Sequence, residues 1–86
     1  MFRPTLTLTV NNAKTALDAG LSAIENGQTE IDLAQLTVVD SAAVATMVAW
    51  RRAALDRGAS LTFRNAPANL RSLAELYDVA ELLHQH

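Results

Sequence analysis

The stretch Val38-Val39-Asp40-Ser41-Ala42-Ala43-Val44 decides how the rest of this chain is read. An apolar pair closes a buried strand, Asp40 and Ser41 follow at once, and a run rich in Ala, Val and Met continues to Gly58. Asp and Ser both cap helix N-termini by accepting hydrogen bonds from free backbone N–H groups, so the spacing predicts a strand-to-helix turn and a helix over 41–57. Ser41 then lies at the positive end of a helix dipole, close to unpaired N–H donors. Two readings follow for its hydroxyl. It is a helix cap, or it is a place where an added phosphate or a partner's carboxylate is stabilised.

Outward from this turn, the N-terminal run Thr5-Leu6-Thr7-Leu8-Thr9-Val10 alternates strictly and predicts a half-buried strand with Leu6, Leu8 and Val10 inward. Asn11-Asn12 breaks the alternation and offers a cap for a helix over 13–26, with Ala13, Ala16, Leu17, Leu21 and Ile24 as its buried stripe. Gly20 inside that helix costs about 1 kcal/mol relative to Ala, which close packing would explain, and Gly27 suits a left-handed helix end. A second strand is expected over 29–33 and a third over 60–64, with Leu61 and Phe63 on one face. Pro67 suits the first turn of a last helix over 68–77, with Leu70, Leu73, Leu76 and Tyr77 inward. Asp78 ends it, and Val79, Leu82 and Leu83 in the tail 79–86 are expected to pack on the core. The order is βαβαβα, which predicts a small layered α/β domain with a mixed or mostly parallel sheet.

The chain has 86 residues, one domain's worth, and half of them are hydrophobic. The net charge of −2 and the scattered basic residues argue against nucleic acid as a partner. No apolar run approaches the roughly 20 residues that span a bilayer, so no membrane insertion is expected, nor is a signal peptide. The absence of cysteine excludes disulfides and thiolate metal sites and fits the cytosol.

On the helix after Ser41, Val44, Val48 and Leu55 fall on one line with Met47 beside them, the expected core face, and the stem of Arg51 covers its edge. Ala42, Ala43, Thr46, Trp50, Ala53 and Ala54 make the opposite face, apolar and small except for Trp50. Trp50 reads either as an anchor for a protein partner or as a lid over its own sheet or Met47. There is no phosphate loop and no dinucleotide fingerprint. His84 and His86 stand at the C-terminal tip as a solvated tail, and Asp32 and Asp40 read as turn caps more readily than as an acidic pair. No enzyme activity, metal or cofactor is expected.

These residues resemble the STAS domain family: the element order, the motif Asp40-Ser41-Ala42-Ala43-Val44 and the strand Leu61-Thr62-Phe63 carry the likeness over about 6–83. The stretch Leu73-Ala74-Glu75-Leu76-Tyr77-Asp78-Val79 resembles the last helix of the MlaB-type subunit of the bacterial ABC phospholipid transporter for outer-membrane lipid asymmetry. The resemblance implies a non-enzymatic cytoplasmic subunit that binds the transporter's ATPase, and through it the membrane permease, at the inner membrane. It implies partner binding by Asp40, Ser41, Ala42, Ala43, Thr46 and Trp50. The alternative it implies is an anti-sigma factor antagonist whose Ser41 is phosphorylated by an anti-sigma factor kinase. Two departures bear on this. Ala43 stands where the family usually has Gly, making the turn less permissive, and with a short stretch before Leu6 an edge strand common in the family is expected to be missing, which would leave a sheet edge uncovered. Ala42 replaces a second Ser of kinase-regulated relatives.

Overall fold

The computed structural model describes Pro4 and residues 6–83, leaving aside the side chains of Leu6 and Leu82. Four short strands and three helices follow one another as β1 (Leu6–Leu8), α1 (Ala13–Glu25), β2 (Glu30–Asp32), β3 (Leu36–Val39), α2 (Ser41–Asp56), β4 (Thr62–Arg64) and α3 (Ala68–Leu76), with a final 3₁₀ turn at Ala80–Leu83. β2 lies within the expected second strand, and the strand closed by Val38-Val39 is a separate element, β3, because Asp32 turns the chain. Its Oδ1 accepts the Ala34 N–H at 2.9 Å, and the Leu36 N–H donates to the Leu33 carbonyl. Strands β1 and β3 pair in parallel, as do β2 and β4, where Glu30, Ile31 and Asp32 sit opposite Thr62, Phe63 and Arg64. Both pairings are non-consecutive in sequence, as strands joined through helices require. An Arg64–Glu30 ion pair at 2.7 Å closes the second pair. The hydrogen bond and the charge of Glu30 raise the Arg64 guanidinium above its ordinary value.

β1 ends at Leu8, earlier than its alternation predicts. Asn12 occupies the N-cap position of α1 without capping it; its Oδ1 accepts the Thr9 N–H and its Nδ2 donates to the Thr7 carbonyl, both at 2.9 Å. That side chain folds Thr9–Asn12 into a turn and leaves Val10, expected inward, 74% exposed. Gly27 and Gly58 end α1 and α2 with positive φ, as their positions predict. At the end of α3, Asp78 takes φ 60° and the Val79 N–H returns to the Ala74 carbonyl. The expected inward face of α3 is corrected. Leu70 and Ala74 are buried, whereas Leu76 and Tyr77 face solvent. Val79 and Leu83 pack against the core. The side chain of Leu82, the histidines His84 and His86, Thr5 and the region of the expected missing edge strand lie outside the described residues.

The rotation of α2 is the main correction. Its buried line is Ala43, Met47, Trp50 and Ala54, spaced i, i+4, i+7 and i+11, flanked by Val44 and Thr46. Leu55, expected in the core, is 58% exposed. Trp50 has no exposed surface. Its ring lies on α1 over Gly20, its Nε1 donates to the Leu17 carbonyl at 3.1 Å, and its centroid is 6.5 Å from that of Phe63. A Cβ added at Gly20 would fall inside the indole ring. The glycine is therefore there for close packing, and Trp50 is a lid over α1, not a partner anchor. Such a ring buries about 150–250 Å² and outweighs the aliphatic line that the helix presents elsewhere.

Candidate functional site

The exposed end of α2 is built around Asp40. Its backbone is extended (φ −136°, ψ −168°), it follows β3, and its amide meets the Leu8 carbonyl at 3.4 Å. From there its carboxylate satisfies two donors. Oδ1 accepts the Ala42 N–H at 2.8 Å, which makes Asp40 the N-cap, and Oδ2 accepts the Val10 N–H at 3.2 Å. One side chain thus closes the start of α2 and ties it to the turn after β1. The Asp40 carbonyl accepts the Ala43 N–H at 2.9 Å, so the helix is under way by Ala43.

Ser41 is the first residue of α2 and is exposed. The capping role considered for it is filled by Asp40, whose Oδ1 accepts the Ala42 N–H. At a helix N-terminus the Ser41 hydroxyl sits in a field that favours an acceptor, a carboxylate or a phosphate. His84 and His86 lie outside the described residues. Among the described residues no group of His, Cys, Asp and Glu is arranged to hold a metal ion.

The residues expected to form one partner face divide into two sets. Asp40, Ser41 and Ala42 come together at the accessible tip of α2. Ala43, Thr46 and Trp50 lie within the fold, at 0%, 5% and 0% exposure. Thr46 turns its Oγ1 back to the Ala42 carbonyl at 2.7 Å, which satisfies the hydroxyl without solvent. Those three are corrected to core positions, since a side chain closed off by α1 and the sheet is not available to another molecule. Ala43 has ordinary helical backbone and is not among the residues with positive φ, so Ala in place of Gly brings no strain there. Ala45 and Arg52, which no expectation singled out, and Leu55, expected in the core, are exposed on the side of α2 opposite Trp50. The mid-helix Gly20 was the available signal: a missing side chain on α1 calls for a large one on its neighbour, and Trp50 is the only Trp in the chain. Asp32 and Asp40 each serve a separate turn, and Asp32 also receives Asn65 Nδ2 at 3.3 Å.

No helix of the described residues is long and apolar enough to cross a membrane. The comparison with curated proteins gives no match. Among solved structures, the anti-sigma factor antagonist SpoIIAA in its unphosphorylated form superposes with a TM-score of 0.75 at 15% identity, covering 98% of this chain and 76% of that one. At that identity the likeness is one of fold: a small α/β domain with parallel strand pairs and three helices. The sequence itself matches a family described as "Mlab, STAS domain" over residues 7–84, a span that contains all three helices, the Asp40–Ser41 turn and, but for Leu6, both strand pairs. By that match this chain belongs to the STAS domain family.

Proposed function

We propose that this protein is a non-enzymatic accessory subunit that docks on the ATPase of an ABC phospholipid transporter through the tip of α2, and supports its assembly and activity. What carries the reading is the tip itself: an exposed Ser41 beside the small Ala42, on a helix whose cap is supplied independently by Asp40. Such a surface suits protein contact, because small residues let another backbone approach closely while the fold is held from within. The family description naming Mlab supports the choice of partner. The subunit works in the cytoplasm, held at the inner membrane through its ATPase and, indirectly, the permease.

The test is a titration of the purified ATPase with wild type, Ser41→Ala and Ser41→Glu, with melting followed in parallel. A carboxylate at Ser41 is tolerated by the isolated domain, since the helix N-terminus favours an anion. In the complex the same charge loses its water without gaining a partner, which is costly. Ser41→Glu is therefore expected to melt like wild type and lose ATPase binding, while Ser41→Ala keeps it. Wild-type affinity in Ser41→Glu would remove Ser41 from the interface and sink this reading.

The exposed hydroxyl favours one second reading, an anti-sigma factor antagonist switched by phosphorylation at Ser41. Incubation with an anti-sigma factor kinase and ATP separates the two: stoichiometric phosphate on Ser41, absent in Ser41→Ala, supports the switch.

A further inference from the structure

Among the described residues β1 pairs with β3 alone, so its other side is a sheet edge. The Asp40 amide meets the Leu8 carbonyl, which turns the backbone groups of Leu8 towards β3. Successive residues of a strand turn their backbone groups to opposite sides, and those of Thr7 and Thr9 therefore lie on the outer edge. There the Asn12 carboxamide takes one group from each. Its Nδ2 donates to the Thr7 carbonyl and its Oδ1 accepts the Thr9 N–H, both at 2.9 Å. A neighbouring strand would meet the same two groups with an N–H and a C=O of its own backbone. Asn12 gives up its ordinary role to do this: it stands at the N-cap of α1, yet its side chain caps no amide of that helix.

The edge behind the carboxamide suits a second copy of the same strand. Thr5-Leu6-Thr7-Leu8-Thr9 reads identically in both directions. Two copies paired antiparallel about a two-fold axis at Thr7 set Thr7 opposite Thr7, Leu6 opposite Leu8 and Thr5 opposite Thr9. Threonine then meets threonine and leucine meets leucine, and cross-strand Thr–Thr pairs are favourable. The two Thr7 residues form a hydrogen-bonded pair, each N–H donating to the other's carbonyl, and each Thr9 N–H donates to a Thr5 carbonyl. The Thr7 carbonyl and the Thr9 N–H are the groups that Asn12 occupies, so the two arrangements exclude each other. The strand carries no charge to repel a copy of itself: residues 4–13 contain no Asp, Glu, Lys or Arg, the side chains that commonly guard an edge.

We propose that the outer edge of β1 is a pairing surface for a second copy of this chain, and that the Asn12 carboxamide is the gate that keeps it shut. β1 is three residues long, so the paired edge offers few hydrogen bonds, and one side chain that claims two of them in each copy holds the chain monomeric. A two-fold pairing uses the same edge of both copies, so opening the gate gives a closed dimer and not a fibre. The gate does not depend on the docking reading, since it lies on β1 and not on α2.

Sedimentation of the full chain over a range of concentrations tests the gate, with circular dichroism confirming each fold. Wild type is expected to stay monomeric. Two variants open the edge: Asn12→Ala, and Asn12→Ser, whose hydroxyl caps α1 but is too short to span both edge groups. Each is expected to pair about tenfold or more tightly than wild type and to stop at the dimer. Adding Thr7→Lys to Asn12→Ser sets like charges opposite each other and should restore the monomer. The register has its own readout, because the chain has no cysteine. In the Asn12→Ser background, Thr7→Cys treated with diamide should give a covalent dimer, since hydrogen-bonded partners stand about 5.5 Å apart at Cα, a span that a disulfide bridges. Thr9→Cys should not, since its two copies lie four residues apart along the strands, about 13 Å. Monomeric Asn12→Ala and Asn12→Ser would overturn the gate. So would pairing that Thr7→Lys leaves unchanged, a crosslink at Thr9→Cys in place of Thr7→Cys, assemblies larger than a dimer, or wild type that pairs as tightly as the variants. If Asn12→Ala does not fold, Asn12→Ser decides alone. If neither folds, Asn12 is required by the turn itself and the gate is overturned.

Discussion

On the inner face of α2, Ala43, Met47, Trp50 and Ala54 press against α1 and the sheet, with Trp50 seated on the bare backbone at Gly20. On the outer face, Ser41, Ala45, Arg52 and Leu55 meet solvent along the same helix. Both faces mix small residues with two larger side chains, Met47 and Trp50 on the inside and Arg52 and Leu55 on the outside. The difference lies in the neighbour. Where α1 offers a position without a side chain, the large residue is swallowed and its polar atom finds a backbone carbonyl; where nothing is offered, the large residue remains at the surface. Small residues on a helix are therefore of two kinds, those that admit another part of the same chain and those left open to a second molecule.

The largest effect should come from emptying the inner face. Trp50→Ala removes a side chain with no exposed surface and its hydrogen bond to Leu17, and should destabilise the domain by about 3–5 kcal/mol. That is much of the roughly 5–15 kcal/mol that holds a small domain together. A melting curve by far-ultraviolet circular dichroism checks it. A variant that melts like wild type and loses only partner binding would dissolve the distinction between the faces.

Gly20→Ala attacks the same contact from α1. Alanine gains about 1 kcal/mol of helix propensity, but its Cβ falls within the indole, and overpacking of this kind costs about 1–3 kcal/mol. Destabilisation is expected, and it should shrink when Trp50→Phe is added, because the two positions share one contact. Equal losses with and without Trp50→Phe would show that Gly20 is small for another reason.

How much of this was legible in the sequence follows from the same contrast. Gly27 and Gly58 mark helix ends wherever φ is positive, so the lengths of α1 and α2 could be read closely. The rotation of α2 could not. Val44, Val48 and Leu55 make as good an apolar line as Ala43, Met47 and Trp50, and a helix apolar on both sides carries no period to choose between them. Gly20 broke the tie, but only as half of a pair whose other half lay thirty positions away. Leu76 lies about 120° from Leu70 around α3, so helical spacing itself puts it outside, whereas Tyr77 shares the direction of Leu70 and is nonetheless exposed where the helix ends before the left-handed Asp78. At the site, Asp40 and Ser41 were visible as a helix start; which of them caps is decided by the extended backbone at Asp40 and by the Val10 amide brought alongside.

Asp40 sits where the two faces meet the rest of the fold, and its replacement should have an intermediate effect. Asp40→Ala leaves the Ala42 amide uncapped and frees the Val10 amide, with an expected cost of about 1–2 kcal/mol. Asp40→Asn keeps an acceptor for Ala42, since Asn caps about as well as Asp, and should recover most of that loss. Equal melting of Asp40→Ala and wild type would show that the cap contributes nothing.

The smallest effect belongs to the outer face. Ser41 is the first residue of α2, exposed, with the cap supplied by its neighbour. Ser41→Ala removes a hydroxyl that water can replace and substitutes the strongest helix former in a helical position, so two small terms nearly cancel. The expected change in stability is within about 0.5 kcal/mol, the usual range for a surface substitution away from special features. Chemical denaturation of both proteins with a shared slope resolves a difference of that size better than melting does. A loss of 1 kcal/mol or more would mean that the hydroxyl caps the helix alongside Asp40. Ser41 would then belong to the fold as Trp50 does, and the outer face would lose the one residue that makes its tip more than a capped helix end.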